Sequence, residues 1–334
     1  MESPPAQPFA AFMAECLYAE GGYYTTGRNF QTTPPADFTT APELTPLFGA
    51  TLGHWLIKTV KNNAQYHHKK EVFLAELGPG RGSLMRALLT HVAETAPALA
   101  ARLTPWLVET SPALRTIQQH TLAAFPHSQW APTLSDIPPT APLIIIANEV
   151  LDACPAQPYR LSGTGWEMLW VEGDETHWRP SAAPPLPHGA PALEEDAILE
   201  HSPTMDTLVA TIRTHASHAL LLDYGYETLP PSGANTLQAV HAHQKVPLTH
   251  KPGQTDLTVH VNFQHVQHLL GPTHCTLTGM ADMLLAHGLA ELALPLLQHP
   301  TAGNPTAHAL HRLLHPQEMG TLFKVLAYAG PMSA

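Results

Sequence analysis

Charge is scarce in this chain of 334 residues: Asp, Glu, Lys and Arg together make up 13% of it. Lys and Arg number 16 against 27 Asp and Glu, a net charge of −11 with histidine neutral, which argues against a nucleic-acid partner. Cysteine is nearly absent. Cys16, Cys154 and Cys275 stand far apart, with no CxxC pair and no disulfide framework, as suits a reducing compartment. No apolar run approaches the ~20 residues that a membrane-spanning helix needs. The opening Met1-Glu2-Ser3-Pro4-Pro5 lacks the basic and apolar regions of a signal peptide. The expectation is therefore a cytoplasmic chain with no membrane partner.

Two short motifs are missing as well. Without Gly-Lys-Ser/Thr there is no phosphate loop, and without His-Glu-x-x-His there is no zinc-protease helix. What fills the sequence instead is 44% hydrophobic residues, 34 Pro and 23 His. The first is enough for a sizeable core. Histidines cluster at His260, His265 and His268 and again at His308, His311 and His315. With charge so scarce they serve as surface polar groups, and no metal is expected.

The stretch that organises the chain is Val72-Phe73-Leu74-Ala75-Glu76-Leu77-Gly78-Pro79-Gly80-Arg81-Gly82-Ser83-Leu84. It reads as a buried parallel strand, a glycine turn and a helix start, with Leu84, Leu88 and Val92 at helical spacing. Such a junction gathers backbone N–H groups and a positive helix end at one spot. The glycines do not fit the dinucleotide pattern G-x-G-x-x-G/A, since its third place is Ser83. Acid-x-Gly-x-Gly-x-Gly instead resembles the first motif of class I S-adenosylmethionine (SAM) methyltransferases. A nucleotide and a purely structural turn remain open at this point.

Around that turn strands and helices alternate, the pattern of a doubly wound (Rossmann-like) α/β sheet. Strands are expected at 72–77, 106–110, 143–147, 219–222 and 321–327, with a weak edge strand near Trp130–Leu134. Ser111 and Pro112 read as the N-cap and first residue of a helix. Before the sheet, amphipathic helices are expected over 8–20 and 46–62, joined by a loop through Tyr23–Pro46. The expected division is an N-terminal helical cap and substrate loop over 1–70, then a methyltransferase domain over 71–334. That domain carries insertions at about 157–200 and 226–272, after the fourth and fifth strands.

Strand ends supply the candidate site, because in an open parallel sheet they share one edge. Glu109 after the second strand suits the ribose hydroxyls of an adenosine ligand. Asn148-Glu149-Val150-Leu151-Asp152 follows the fourth strand. Glu149 and Asp152 would face the same way if a helical turn followed, and two carboxylates suit a guanidinium, which they can orient and relieve of a proton. The cofactor set is Glu76, Gly78, Pro79, Gly80, Gly82, Glu109, Thr110, Asp136 and Asn148. Asp223 and Tyr224, at the end of the fifth strand, share that edge.

Taken in order, these pieces resemble the MidA-like class I methyltransferases, which include the mitochondrial complex I assembly methyltransferase. The resemblance runs through Gly22-Tyr23-Tyr24, Ala36-Asp37-Phe38-Thr39-Thr40-Ala41-Pro42-Glu43, Pro46-Leu47-Phe48-Gly49 and Glu76 to Gly82. It continues through Glu109-Thr110-Ser111-Pro112-Ala113-Leu114, Ala147 to Ala153 and Leu222-Asp223-Tyr224-Gly225. Asp256-Leu257-Thr258, His260-Val261-Asn262-Phe263 and Phe323-Lys324-Val325 complete it. The resemblance implies SAM as cofactor and a protein partner offering an arginine, of the respiratory complex I subunit type, and it leaves room for a homodimer. It also implies that the Asp37–Glu43 loop and the 226–263 insertion frame the acceptor channel, with Asp37, Phe38, Thr40, Glu43, Asp223 and Tyr224 as the acceptor set. Ala36, Asn262 and Thr278 depart from the family pattern, which has Gly, Asp and Gln there. A SAM-binding assembly chaperone and a small-molecule N-methyltransferase are the alternative readings.

Overall fold

The computed structural model describes residues 5–26, 40–187, 193–229, 235–298 and 305–331. They form two compact units. The larger takes in residues 39–149, 211–224 and 273–334, the smaller residues within 1–38, 150–210 and 225–272.

The larger unit is built on a mostly parallel sheet. Its strands are β1 (Val72–Leu77), β2 (Leu103–Val108), β3 (Gln129–Ala131), β4 (Leu143–Asn148), β5 (Ala216–Tyr226), β6 (Cys275–Gly279) and β7 (Phe323–Ala329). Across the sheet they run β3-β2-β1-β4-β5-β7-β6, with β7 antiparallel to both of its neighbours. The doubly wound α/β class expected from the alternation is present, and its order reverses between β1 and β4, where open α/β sheets place ligands. Every residue of β1 is buried, which explains why it reads as an unbroken apolar run around Glu76. β2 alternates buried and half-buried residues and begins three residues before the expected start, across Pro105. β7 lies two residues later than expected.

Three helices position the site. Helix α1 (Pro46–Asn62) is capped by Thr45, which accepts from the Leu47 N–H at 3.3 Å. Helix α2 (Ser83–Thr95) leaves the glycine turn, and α3 (Pro112–Thr121) starts at Ser111, whose hydroxyl accepts from Leu114 N–H as the sequence predicts. Leu47, Leu52 and Leu56 of α1 join Leu84, Leu88 and Val92 of α2 and Ile144, Ile146, Leu220 and Leu222 of the sheet in one core.

The smaller unit is antiparallel. Strands over Gln157–Ser162, Gly165–Glu172, Glu175–Pro180 and Ile198–His201 form a sheet edged by Gln7–Pro8, and Gln238–His241, Gln244–Lys245 and Asp256–Thr258 form a second. The hairpin arm expected at Trp166–Val171 is the centre of the first sheet. The helix Phe9–Tyr18 buries Phe9, Phe12, Met13, Cys16 and Leu17, the face its spacing predicts, against Leu169, Val171 and Leu257. The last residues of β5, Gly225 and Tyr226, pair in parallel with Val261 and Asn262.

α1 and α2 touch through a glycine. A Cβ on Gly49 would stand 2.6 Å from the Ala87 Cβ and 3.0 Å from the Leu84 carbonyl oxygen. Alanine gains about 1 kcal/mol over glycine in a helix interior. Overpacking against a neighbouring backbone costs roughly 1–3 kcal/mol and wins here. Gly49→Ala should lower stability by about 1 kcal/mol, read from the urea unfolding midpoint; an unchanged or higher midpoint would show that the helices have room to part.

Candidate active site

The turn after β1 uses three left-handed residues: Gly78 at φ 56°, Gly80 at φ 50° and Gly82 at φ 79°. A side chain there costs roughly 1–2 kcal/mol per residue, so the alternating glycines are what lets the chain fold back this tightly. Gly78 N–H donates to the Val108 carbonyl at 3.2 Å, and Gly82 N–H to the Pro79 carbonyl at 2.7 Å. Gly82 is the N-cap of α2 and brings no side-chain acceptor. Glu76 takes that role from β1, accepting from the Met85 backbone N–H in the first turn of α2. Glu76 is 4% exposed, and burial pushes its carboxyl up to about 8. Its Oε2 has no hydrogen-bond partner among the described residues.

Glu109 follows β2. Its Oε1 accepts from Ser111 N–H at 2.7 Å and its Oε2 from the Gln118 amide at 3.2 Å. Burial raises its carboxyl, and these bonds partly offset that. Arg115 gives Nε and Nη2 to the Glu109 carbonyl oxygen at 2.8 and 2.5 Å rather than to the carboxylate. Gln118 is the residue that the sequence reading missed. Fully buried, it donates to the Gly80 carbonyl at 2.8 Å and to Glu109, and accepts from the Trp130 indole at 3.0 Å. It thereby joins the turn, the end of β2 and the β3 strand.

β4 pairs with β1 as far as Leu77 and Ala147, so Asn148 stands beside the start of the turn. Asn148 Oδ1 is buried without a hydrogen-bond partner among the described residues, while its Nδ2 donates to Glu149 Oε1 at 3.1 Å. Glu149 sits at φ 54°, a left-handed value that costs a non-glycine residue about 1–3 kcal/mol. Its N–H is held by the Leu222 carbonyl of β5 at 2.8 Å. Two buried oxygens without donors, beside a glycine turn at a helix N-terminus, fit a ligand that carries N–H groups and positive charge.

The remaining expectations divide. Thr110 is exposed beside Glu109. Asp136 is exposed too, and its Oδ2 accepts from the Thr133 N–H at 3.0 Å and hydroxyl at 2.7 Å. Thr40 is the N-cap of the short helix Ala41–Leu44, with Glu43 in its first turn. Asp37 and Phe38, like Ala36, lie outside the described residues. Asp223 is buried in β5 and accepts from Tyr224 N–H at 2.9 Å, while the Tyr224 ring packs on Phe323 at 5.4 Å. The helical turn expected after Glu149 does not form; Cys154 N–H closes a turn on the Leu151 carbonyl at 3.2 Å instead. Asp152 lies in that turn, buried in the smaller unit. Asn262 caps helix α4 (Phe263–Leu270), accepting from His265 N–H at 3.1 Å, a position where Asn and Asp serve equally. Among the described residues no three His, Cys, Asp or Glu are grouped to hold a metal ion.

Comparison with known proteins bears on this geometry. A family model described as "Putative S-adenosyl-L-methionine-dependent methyltransferase" matches residues 51–281. A curated relative from Drosophila melanogaster, "Protein arginine methyltransferase NDUFAF7 homolog, mitochondrial", is 28% identical over 98% of this chain and 82% of its own. One of the same name from Caenorhabditis elegans is 27% identical over 78% of this chain and 67% of its own. A Burkholderia thailandensis crystal structure bound to S-adenosyl-homocysteine is 27% identical, covering 98% of this chain and 89% of that one, with a TM-score of 0.82. The expectation of a cytoplasmic chain is overturned by these relatives, which are named as mitochondrial proteins.

Two tests follow from the buried groups. Glu76 binds its proton more tightly in the folded than in the unfolded chain, since its value rises from 4.5 to about 8. The stability this gives is full below the ordinary carboxylate range and is lost as pH climbs to about 8. At 1.36 kcal/mol per unit, the ligand-free protein should lose about 2–3 kcal/mol between pH 6 and 9 that Glu76→Gln does not lose; equal slopes in urea titrations would show Glu76 to be already ionised. Gln118→Leu should weaken S-adenosyl-homocysteine binding about tenfold by calorimetry, about 1.4 kcal/mol, because the turn loses its brace.

Proposed function

The chain belongs to this S-adenosyl-L-methionine-dependent methyltransferase family, and on that premise we propose that it methylates an arginine side chain of a protein. The observation that carries the reading is Glu149. An acid is held at φ 54° at the end of β4, beside the orphaned Asn148 oxygen and next to the glycine turn. Backbone strain of that kind is kept where surrounding contacts over-determine it and a function needs the group. The curated relatives, whose names give arginine methylation as their activity, support the same acceptor.

The cofactor supplies an electrophilic methyl group on a sulfonium centre. Gly78, Pro79, Gly80 and Gly82 would hold its amino-acid portion, and Glu76 would meet its ammonium. Glu109 would take the ribose hydroxyls, and Asn148 lies beside Glu149. Glu149 would orient the guanidinium, which is always protonated when free, and would accept the proton that its nitrogen gives up. Asp152, three positions on in the sequence, is the second candidate acid. Holding acceptor and donor in line supplies much of the acceleration. A respiratory complex I subunit is the acceptor that the sequence resemblance implies.

The protein should move label from tritiated cofactor into a protein band that yields methylarginine on hydrolysis. Glu149→Gln should cut turnover by ~10²-fold or more and leave S-adenosyl-homocysteine affinity within about threefold. Equal turnover in that variant removes Glu149 from the chemistry. Label confined to small molecules replaces the protein acceptor with a metabolite.

A further inference from the structure

Lysine in this chain is gathered in one place. Four of the seven, Lys58, Lys61, Lys69 and Lys70, lie within 13 positions, and no Asp or Glu occurs between Glu43 and Glu71. All four are exposed, and among the described residues none of them is ion-paired. Lys58 and Lys61 share a face of α1 with His54. His67 Nε2 donates to the Lys61 carbonyl at 2.8 Å, and Arg102 Nη1 donates to the Lys69 carbonyl at 2.8 Å, so the chain from α1 to β1 is held as one strip. Lys69 and Lys70 precede β1, and the glycine turn follows it, about 20 Å away along a six-residue strand.

Beside this strip, in the same unit, lies an apolar helix pair, α5 (Met280–Ala286) and α6 (Leu289–Leu297), bent by 79° at His287 and Gly288. The bend is fastened to α1. The His287 carbonyl accepts from His54 Nδ1 at 3.0 Å, and burial, with the Lys58 charge nearby, lowers the His287 ring. α6 begins in the core, burying Leu289 and Ala293. Its last turn leaves the core: Leu294, Leu296 and Leu297 are 55%, 50% and 36% exposed, and Leu285 of α5 is 49% exposed. At about 100° per residue, Leu294, Pro295, Leu296 and Leu297 point to all sides of the helix. A groove on a protein partner takes up one stripe of a helix, whereas a helix end that is apolar all round calls for a medium that surrounds it. The pair has two acids, Asp282 and Glu291, and no Lys or Arg, so the neighbouring strip supplies the positive charge.

We propose that this face of the larger unit rests on an anionic lipid surface, with Leu285 and the Leu294–Leu297 turn sunk among acyl chains and the lysines on headgroup phosphates. Among the described residues no single helix is long and apolar enough to cross a membrane, and the 79° bend suits lying in the interface. The net charge of −11 does not oppose the contact at physiological salt, because charges more than about 8 Å away are largely screened and the lysines lie nearest. The lysine strip is at the opposite strand edge from the glycine turn, so the cofactor site stays open. Lipid contact is independent of which acceptor is methylated.

The test is flotation of the full chain with vesicles of phosphatidylcholine alone and of phosphatidylcholine with about 30% phosphatidylglycerol. The expected result is about tenfold stronger partitioning onto the anionic vesicles, falling about fivefold between ~50 and ~500 mM salt. The double variants Leu296→Gln/Leu297→Gln and Lys58→Glu/Lys61→Glu should each weaken it about fivefold and leave S-adenosyl-homocysteine affinity within about twofold. Equal partitioning onto both vesicle types, or none onto either, overturns the lipid surface. Binding that survives the leucine changes overturns it too, by reducing the contact to charge alone. A dimer in sedimentation velocity that the leucine variant dissolves, with no vesicle binding, would give the face to a second copy of the chain instead. Should a double variant misfold, the single changes Leu296→Gln and Lys61→Glu carry the comparison.

Discussion

Between Leu77 and Ser83 the main chain turns through three left-handed residues, and each is glycine. With β-carbons at these positions the strain would reach several kcal/mol, on the order of the whole stability of a domain. The turn also leaves α2 without a side-chain cap, because its N-cap is itself Gly82. Glu76 fills that gap from inside β1, reaching the Met85 N–H. One local constraint thus forces a second: a backbone fold that needs glycine for its curvature must borrow its capping acid from the preceding strand. That acid is buried because β1 is buried on every residue.

The turn does not stand by its own hydrogen bonds. Gln118, 38 residues on, holds the Gly80 carbonyl with one N–H and the Glu109 carboxylate with the other. Glu109 is in turn anchored at Ser111 N–H, which lies at the cap of α3. The helix start, the strand end and the turn therefore form one network in which a single amide supplies both donors. Networks of this kind rigidify a site only when every member is matched. Glu76 Oε2 and Asn148 Oδ1, beside the turn, have no donor among the described residues.

Much of this is legible in the sequence alone. β1 and β4 announced themselves because inner parallel strands are apolar throughout, and Ser111-Pro112 announced α3 because cap chemistry is local. The start of β2 was missed because Leu103-Thr104-Pro105 mixes residue types on a strand whose faces differ in burial. Gln118 was missed because a glutamine within a polar helix gives no local sign that its amide turns inward. Asp136 had a sign that was passed over: Thr133 precedes it by three residues, the spacing of a capping box, which is how its carboxylate is used. The smaller unit was the least legible part. It is assembled from three separated stretches of chain, and the bond between His265 and Asp206 spans 59 residues.

Low charge content shapes how each unit holds its buried acids. With 16 Lys and Arg for 27 Asp and Glu, the chain cannot pair each acid with a base. Its buried acids are instead held by peptide N–H groups: Glu76 by Met85, Glu109 by Ser111 and Glu200 by Thr236. A peptide N–H anchors a carboxylate but brings no formal charge, so burial dominates and Glu76 and Glu200 rise to about 8 and 7. An arginine beside either acid would hold it ionised at neutral pH and would also occupy it. Without a basic partner Glu76 is mostly neutral at pH 7 and Glu200 about half so, and a cation that meets either acid must first displace its proton, at about 1.36 kcal/mol for each pH unit below the carboxyl's value.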